Sequence, residues 1–251
     1  MGADRAHYFV HMKYLILLLL PLCGCAQGRF EKMPADLETD WAKSALPPDL
    51  RADATVFLLD PAKGYYVAHQ GTNGFVCLIG RTEWEWGEFR NDLFTPIAFD
   101  PEGVKTIFPV YRDVAAMRAS GKYTPLQVKD TVISRIHRGQ YVAPSRNGIA
   151  YMLAPLMRVY TGMPGDTMVM SMHMPHYMFY APYVNNADAG TVYGSDGPFI
   201  SNPGSTVLGD KKGPFGYYIV RAPSDVSTKL MADGQDLLKR LEAYSPLFYV
   251  R

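Results

Sequence analysis

The chain has 251 residues, 48% of them hydrophobic and 20% charged, an ordinary globular composition with enough length for one sizeable core. Its 25 basic and 24 acidic residues leave a formal net charge of +1, and no run of Lys or Arg forms the basic stripe of a nucleic-acid binder. Nucleic acid is therefore not an expected partner.

Met12 and Lys13 precede the apolar run Tyr14 to Leu22, which has the length of a signal-peptide core and is too short to span a bilayer. Residues 1–24 are read as an export signal. Asp4, Arg5, His7 and His11 dilute its basic start, so Met12 is a candidate natural start. The run ends Leu22-Cys23-Gly24-Cys25-Ala26, which resembles a bacterial lipobox with Cys25 as the lipidated residue. Cys23 fits less well, because Leu22 would fill the position before it that cleavage reserves for a small side chain. A plain secretory cleavage near Ala26 is the alternative. The lipobox resemblance implies a body held by acyl chains at the membrane, outside the cytoplasm, in a bacterial envelope. Loss of residues 1–24 removes Asp4, Arg5 and Lys13 and leaves acidic and basic residues equal in number. With Cys25 acylated, Cys77 is the last thiol, so no disulfide forms within the mature chain and stability has to come from an apolar core.

Residues 25–48 read as a charged, Pro-containing tether, with Leu37, Trp41 and Ala45 marking a short amphipathic helix inside it. Residues 49–251 are expected to form a single globular domain. From Ala54 the runs ATVFLL, YYVAH and FVCLIG, separated by DPAKG and QGTNG, predict a three-stranded antiparallel meander with a hairpin at Asn73-Gly74. Phe75, Cys77 and Ile79 would share one face, which makes Cys77 a buried, inert thiol.

Arg81 to Asp100 carries Glu83, Trp84, Glu85, Trp86, Glu88 and Asp92 and reads as a long loop, or as a strand with one acidic and one aromatic face. Its carboxylates suit a cation or a sugar, and Trp84 and Trp86 offer stacking surfaces. With Tyr177 and Tyr180 they form the candidate ligand-binding set. A strand is predicted over residues 106–111 and a helix over 113–119, stopped by Gly121. Thr124-Pro125-Leu126-Gln127 is a capping box that opens a helix over 125–138.

The run Ile149 to Leu156 predicts a buried strand, and Gly162, Pro164 and Gly165 a turn that returns the chain antiparallel to it. The returning stretch, Thr167 to Tyr180, reads TMVMSMHMPHYMFY. In an extended chain its methionines and His176 alternate onto one face. Thioethers with an imidazole suit Cu(I), so Met170, Met172, His173, Met174 and His176 are candidate copper ligands. Methionine is also an adaptable filler of irregular cores, which is the competing account of the same residues. Pro175 interrupts the ladder and marks a bulge or edge. Asn185 to Pro214 is irregular and lacks calcium-loop spacing. A strand over 216–220, a helix over 226–243 weakened at Gly234, and a last strand at LFYV complete the chain.

GTNGFVC at 71–77, GIAYML at 148–153 and HYMFYAPYVNNADAG at 176–190 resemble a family of exported bacterial proteins, and the resemblance implies no particular activity. The expected fold is α+β: a mainly antiparallel sheet from residues 54–79, 106–111, 148–156, 167–181 and 216–220, with helices over 125–138 and 226–243 on one face. The expected function is binding of a small ligand or a soft metal ion such as copper, in a protein attached to the membrane through a lipid. The alternative is a hydrolase or acyl transferase with Cys77 as nucleophile, His176 as base and Asp188 as orienter, where His69 and His173 are other possible bases and Asn185 another orienter. Against it, Cys77 lies mid-strand, and no nucleophile elbow, metalloprotease or nucleotide-binding motif is present.

Overall fold

A computed structural model describes residues 32–160, 168–202, 208 and 212–244. The export signal, Cys25, the Gly162–Gly165 turn and LFYV lie outside the described residues. The fold is α+β, built on a large mixed, mostly antiparallel sheet.

Pro34 opens α1 (Ala35–Ser44), with Asp36 and Glu38 in its first turn and Lys43 in its last, as the helix dipole favours. The stripe Leu37, Trp41 and Ala45 is buried, and full burial of a large apolar side chain contributes roughly 1.5–3 kcal/mol. Trp41 stacks on Phe94 at 5.4 Å and donates Nε1–H to the Leu156 carbonyl at 2.9 Å. The segment expected to be a tether is thus, from Met33 on, part of the core.

The next strands are β1 (Thr55–Asp60), β2 (Gly64–His69) and β3 (Val76–Gly80). They do not form a meander: β1 pairs antiparallel with β2, but β3 lies on the other side of β1 and parallel to it, Val56 opposite Cys77. Burial decides this. Most of β2 is exposed, so it takes the sheet edge, whereas every residue of β3 is apolar or small and buried and needs cover on both faces. Asn73-Gly74 serves the crossover instead of a hairpin. Asn73 donates to the Leu50 carbonyl and accepts from Phe75 N, while Gly71 crosses so close to residues 53–55 that a Cβ there would lie 2.1 Å from the Asp53 carbonyl oxygen.

β4 (Thr95–Phe99) follows, inside the segment expected to be loop, and pairs antiparallel with β3. Its Pro96 is tolerated because pairing on the other side involves only Ala98 and Phe99. Asp100 then caps α2 (Pro101–Thr106), accepting from Gly103 N at 2.9 Å. Pro109 sits in the first turn of α3 (Phe108–Ala119), so the strand expected over 106–111 is helix. α4 (Pro125–His137) starts at the capping box formed by Thr124 and Gln127.

β5 (Ile149–Met152) stops short of the predicted strand end. β6 (Met157–Tyr160) leaves the main sheet and pairs antiparallel with β7 (Val169–Met172). Past Pro175 the chain rejoins the main sheet as β8 (His176–Tyr180), antiparallel to β5. Pro175 therefore divides the Met-rich stretch between two sheets. After α5 (Asn186–Ala189), β9 (Phe199–Ser201) and β10 (Tyr217–Arg221) complete the sheet in the order β2-β1-β3-β4-β5-β8-β10-β9. α6 (Ser224–Asp233) and α7 (Gln235–Tyr244) divide the expected helix at Gly234, where a Cβ would meet the Pro155 ring at 2.8 Å.

Helices cover the central strands on both faces, not one. Cys77, Ile79 and Ala98 pack with α1 and α7, while Val76, Leu78, Ile97 and Phe99 pack with α2, α3 and α4. Strand alternation delivers the two sets to opposite sides.

Candidate ligand cavity

The helices on the α3 side do not extend over the whole sheet. Over β5, β8, β10 and β9 the cover consists of a 3₁₀ turn at Trp84–Trp86, the β6–β7 pair and the 185–202 segment. These close over a cavity of about 650 Å³, a size suited to a small organic molecule.

The acidic and aromatic wall is held by two buried arginines. Arg81 donates Nε–H to the Leu93 carbonyl at 2.8 Å and reaches the Asn91 carbonyl, and Arg118, from α3, donates to the Arg81 and Arg90 carbonyls and to Thr82 and Asn91 side chains. Residues 81–93 are thus pinned through their own carbonyls, and the 3₁₀ turn they carry faces the cavity. Gly87 ends the turn at φ 65°, with α4 packed behind it through Leu126. Trp86 donates Nε1–H to Glu83 at 3.2 Å and stacks on Tyr160 at 4.5 Å, and Tyr160 donates to Glu88 at 2.6 Å.

Glu83 and Glu85 both line the cavity and are half-buried. Burial, reinforced at Glu83 by its acidic neighbour, raises the Glu83 carboxyl to about 8, and burial raises Glu85 to about 7. Apart from His176 and tyrosines they are the only ionisable groups in the lining; no Lys, Arg or Asp contributes to it among the described residues. Among the described residues, Thr95 Oγ1 and Asn202 Oδ1, both on lining residues, are buried without a hydrogen-bond partner. Such orphans are uncommon and point to polar contacts that something in the cavity would complete.

The opposite wall is soft. Met152, Met157, Met172, Met174 and Met178 all line the cavity, together with His176. His176 is 4% exposed, and burial lowers its imidazole to about 4, so it is neutral at pH 7. Its Nδ1 lies 2.6 Å from the Met174 carbonyl oxygen. A carbonyl only accepts, so Nδ1 carries the proton and Nε2 presents a lone pair. No partner for Nε2 is found among the described residues.

Of the candidate ligand residues, Trp84 and Trp86 line this cavity, but Tyr177 and Tyr180 do not. Tyr177 points to the other sheet face beside Tyr151, and Tyr180 is a core residue whose Oη lies 2.8 Å from Asp100 Oδ1. Of the candidate copper ligands, Met172, Met174 and His176 reach the cavity. Met170 is exposed at the outer end of β7, and His173 is exposed with Nδ1 against the Pro155 carbonyl. The Cys77–His176–Asp188 set is not assembled. Cys77 packs on the α1 face with its thiol raised to about 12 by burial, while His176 occupies the opposite face of the same sheet. Asp188 is far from neither solvent nor salt: it caps α5 with Asn185 and pairs with exposed Lys212 at 2.9 Å. Sequence reasoning missed Met152, Met157, Tyr160 and Asn202 as cavity residues. The alternation in Met157-Arg158-Val159-Tyr160 was the available signal for Met157, which shares a face with Val159.

Comparison with protein-family models, curated proteins and solved structures finds no match to the chain.

Proposed function

We propose that this is an exported binding protein, anchored in a bacterial envelope through lipid on Cys25, whose cavity takes a small, largely apolar molecule carrying one protonated nitrogen. One observation carries the choice of ligand: among the described residues, the acidic groups in a mainly apolar and aromatic lining are Glu83 and Glu85 alone, and no Lys or Arg lines it. An ammonium group placed there would restore the ionised form of a carboxyl that burial disfavours, and the Trp86 and Trp84 rings would receive its apolar body or its charge. No helix among the described residues is long and apolar enough to cross a membrane.

The test is calorimetric titration with matched pairs, octylamine against octanol and tryptamine against tryptophol. Binding of the amines, with the alcohols weaker by about tenfold or more and the preference abolished in Glu83→Gln/Glu85→Gln, supports the proposal. Equal affinity for amine and alcohol, or no binding by either pair, refutes it.

A further inference from the structure

We propose that His176 Nε2 and the thioethers of Met152, Met172, Met174 and Met178 form a site for one soft monovalent metal ion, Cu(I) or Ag(I). This goes beyond the amine-binding scheme and does not depend on it, because none of these residues belongs to the acidic wall.

The sheet register gathers the donors. Met152 on β5 is the direct cross-strand partner of His176 on β8. Directly opposed residues in an antiparallel pair have Cβ atoms roughly 4.5–5.5 Å apart, within reach of a common ion for side chains of this length. Met178 follows His176 by two residues in the same strand and so shares its face. Met172, at the end of β7, and Met174, on the connection that passes Pro175, reach the same cavity from above.

The imidazole is prepared as a ligand. A metal-bound His characteristically donates its second ring N–H to a carbonyl or carboxylate, which fixes the tautomer and aims the other nitrogen. Nδ1 of His176 has that arrangement with the Met174 carbonyl at 2.6 Å. Among the described residues the other nitrogen has no hydrogen-bond partner, and the 4% exposed His176 belongs to the cavity lining.

Donor chemistry selects the ion. Among the described residues no three His, Cys, Asp or Glu side chains cluster, so the available set is thioether plus one imidazole. Uncharged sulfur donors with a neutral nitrogen favour soft, singly charged ions over Zn²⁺, Mg²⁺ or Ca²⁺. The site differs from the ladder read in the sequence: Met170 and His173 drop out, and Met152 and Met178 enter.

The full chain, with Cys23, Cys25 and Cys77 replaced by Ala so that no thiol competes, is titrated anaerobically with Cu(I) against a chromogenic Cu(I) chelator, and separately with Ag(I). One equivalent of metal is expected, with X-ray absorption at the copper edge showing sulfur and one nitrogen neighbour. Met152→Leu/Met178→Leu, which conserves volume and is checked for folding by its thermal melt, should weaken binding by about tenfold or more, as should His176→Gln. Met170→Leu and His173→Gln should leave it unchanged. Absence of uptake overturns the proposal, as does uptake that Met170→Leu or His173→Gln abolishes while Met152→Leu/Met178→Leu does not. Octylamine binding measured on the same variants separates this result from the fate of the acidic wall.

Discussion

Replacing Glu83 and Glu85 by Gln should remove a pH dependence that the cavity imposes on folding. Burial first, and at Glu83 the neighbouring Glu85, raise the two carboxyls to about 8 and about 7 from an ordinary 4.5. Between the ordinary and the raised values the folded protein keeps protons that the unfolded chain has released, so stability is full below about pH 4.5 and falls as pH rises towards 8. At ~1.4 kcal/mol for each pH unit of separation, the two carboxyls together would account for roughly 8 kcal/mol in a dry site. Both are only half-buried, so solvent screens them, and they titrate as a pair, so the expected loss between about pH 5 and pH 8 is roughly 2–4 kcal/mol. Glu38, buried beneath β1 and raised to about 7 by burial, adds a separate share that the double variant retains. His176 acts in the opposite sense. It is neutral when folded down to about 4, and the unfolded chain takes up a proton near 6.5, so stability falls as pH drops through that interval. Urea denaturation of the ligand-free protein at steps of pH should give a maximum below about pH 5, because three raised carboxyls outweigh one lowered imidazole, with the alkaline limb flattened by roughly 2–4 kcal/mol in Glu83→Gln/Glu85→Gln. An alkaline limb of equal depth in both proteins would show that the carboxyls are solvated, and the reasoning about the acidic wall would fail with it.

Cys77 should resist alkylation in the native protein and react in urea, because its thiol is fully buried and raised to about 12; labelling of the folded protein within minutes at pH 8 would reopen the thiolate mechanism. Cys25→Ala should move the protein from the membrane to the soluble fraction when expressed with its own leader in a bacterium, and unchanged membrane retention would remove the lipid anchor from the proposed function.

Local signals were legible where the residues that carry them are adjacent in sequence. The capping box at Thr124, the stripe Leu37-Trp41-Ala45, the stop at Gly121 and the break at Pro175 each rest on contacts within a few residues, and each appears in the structure. The interruption at Gly234 is of the same kind, although its full effect comes from Pro155, far away in the chain. Pairing was not legible in this way. Asn73-Gly74 carries a strong hairpin signal, yet β3 bypasses β2 because its burial requirement is met only in the middle of the sheet. The 106–111 segment has strand-like residues, but Asp100-Pro101 upstream and Pro109 inside it favour helix starts. For the cavity, the sequence singled out two of its walls, residues 83–86 and the Met-rich stretch, without any way to bring them together. The alternation rule placed His176 and Met178 on one face correctly, and it could not foresee that β7 would leave the sheet to roof them.

The roof also bears on how binding would proceed. Each of its three parts is fastened by polar contacts in addition to the apolar packing of Trp84, Met157 and Phe199. Arg81 and Arg118 hold the 81–93 segment by its carbonyls. Arg158, 3% exposed, ties β6 to the Asp92 carbonyl and carboxylate and to Ser171 of β7. Asn186 bonds both the N–H and the C=O of Ile200, and Asn202 donates to the Val184 and Gly213 carbonyls. Contacts of this kind fix direction as well as distance, so they can hold a wall in place over empty space, which apolar packing cannot do without filling it. A cavity braced from behind loses little conformational freedom when a ligand enters, and affinity then depends on the fit of its two chemically distinct walls.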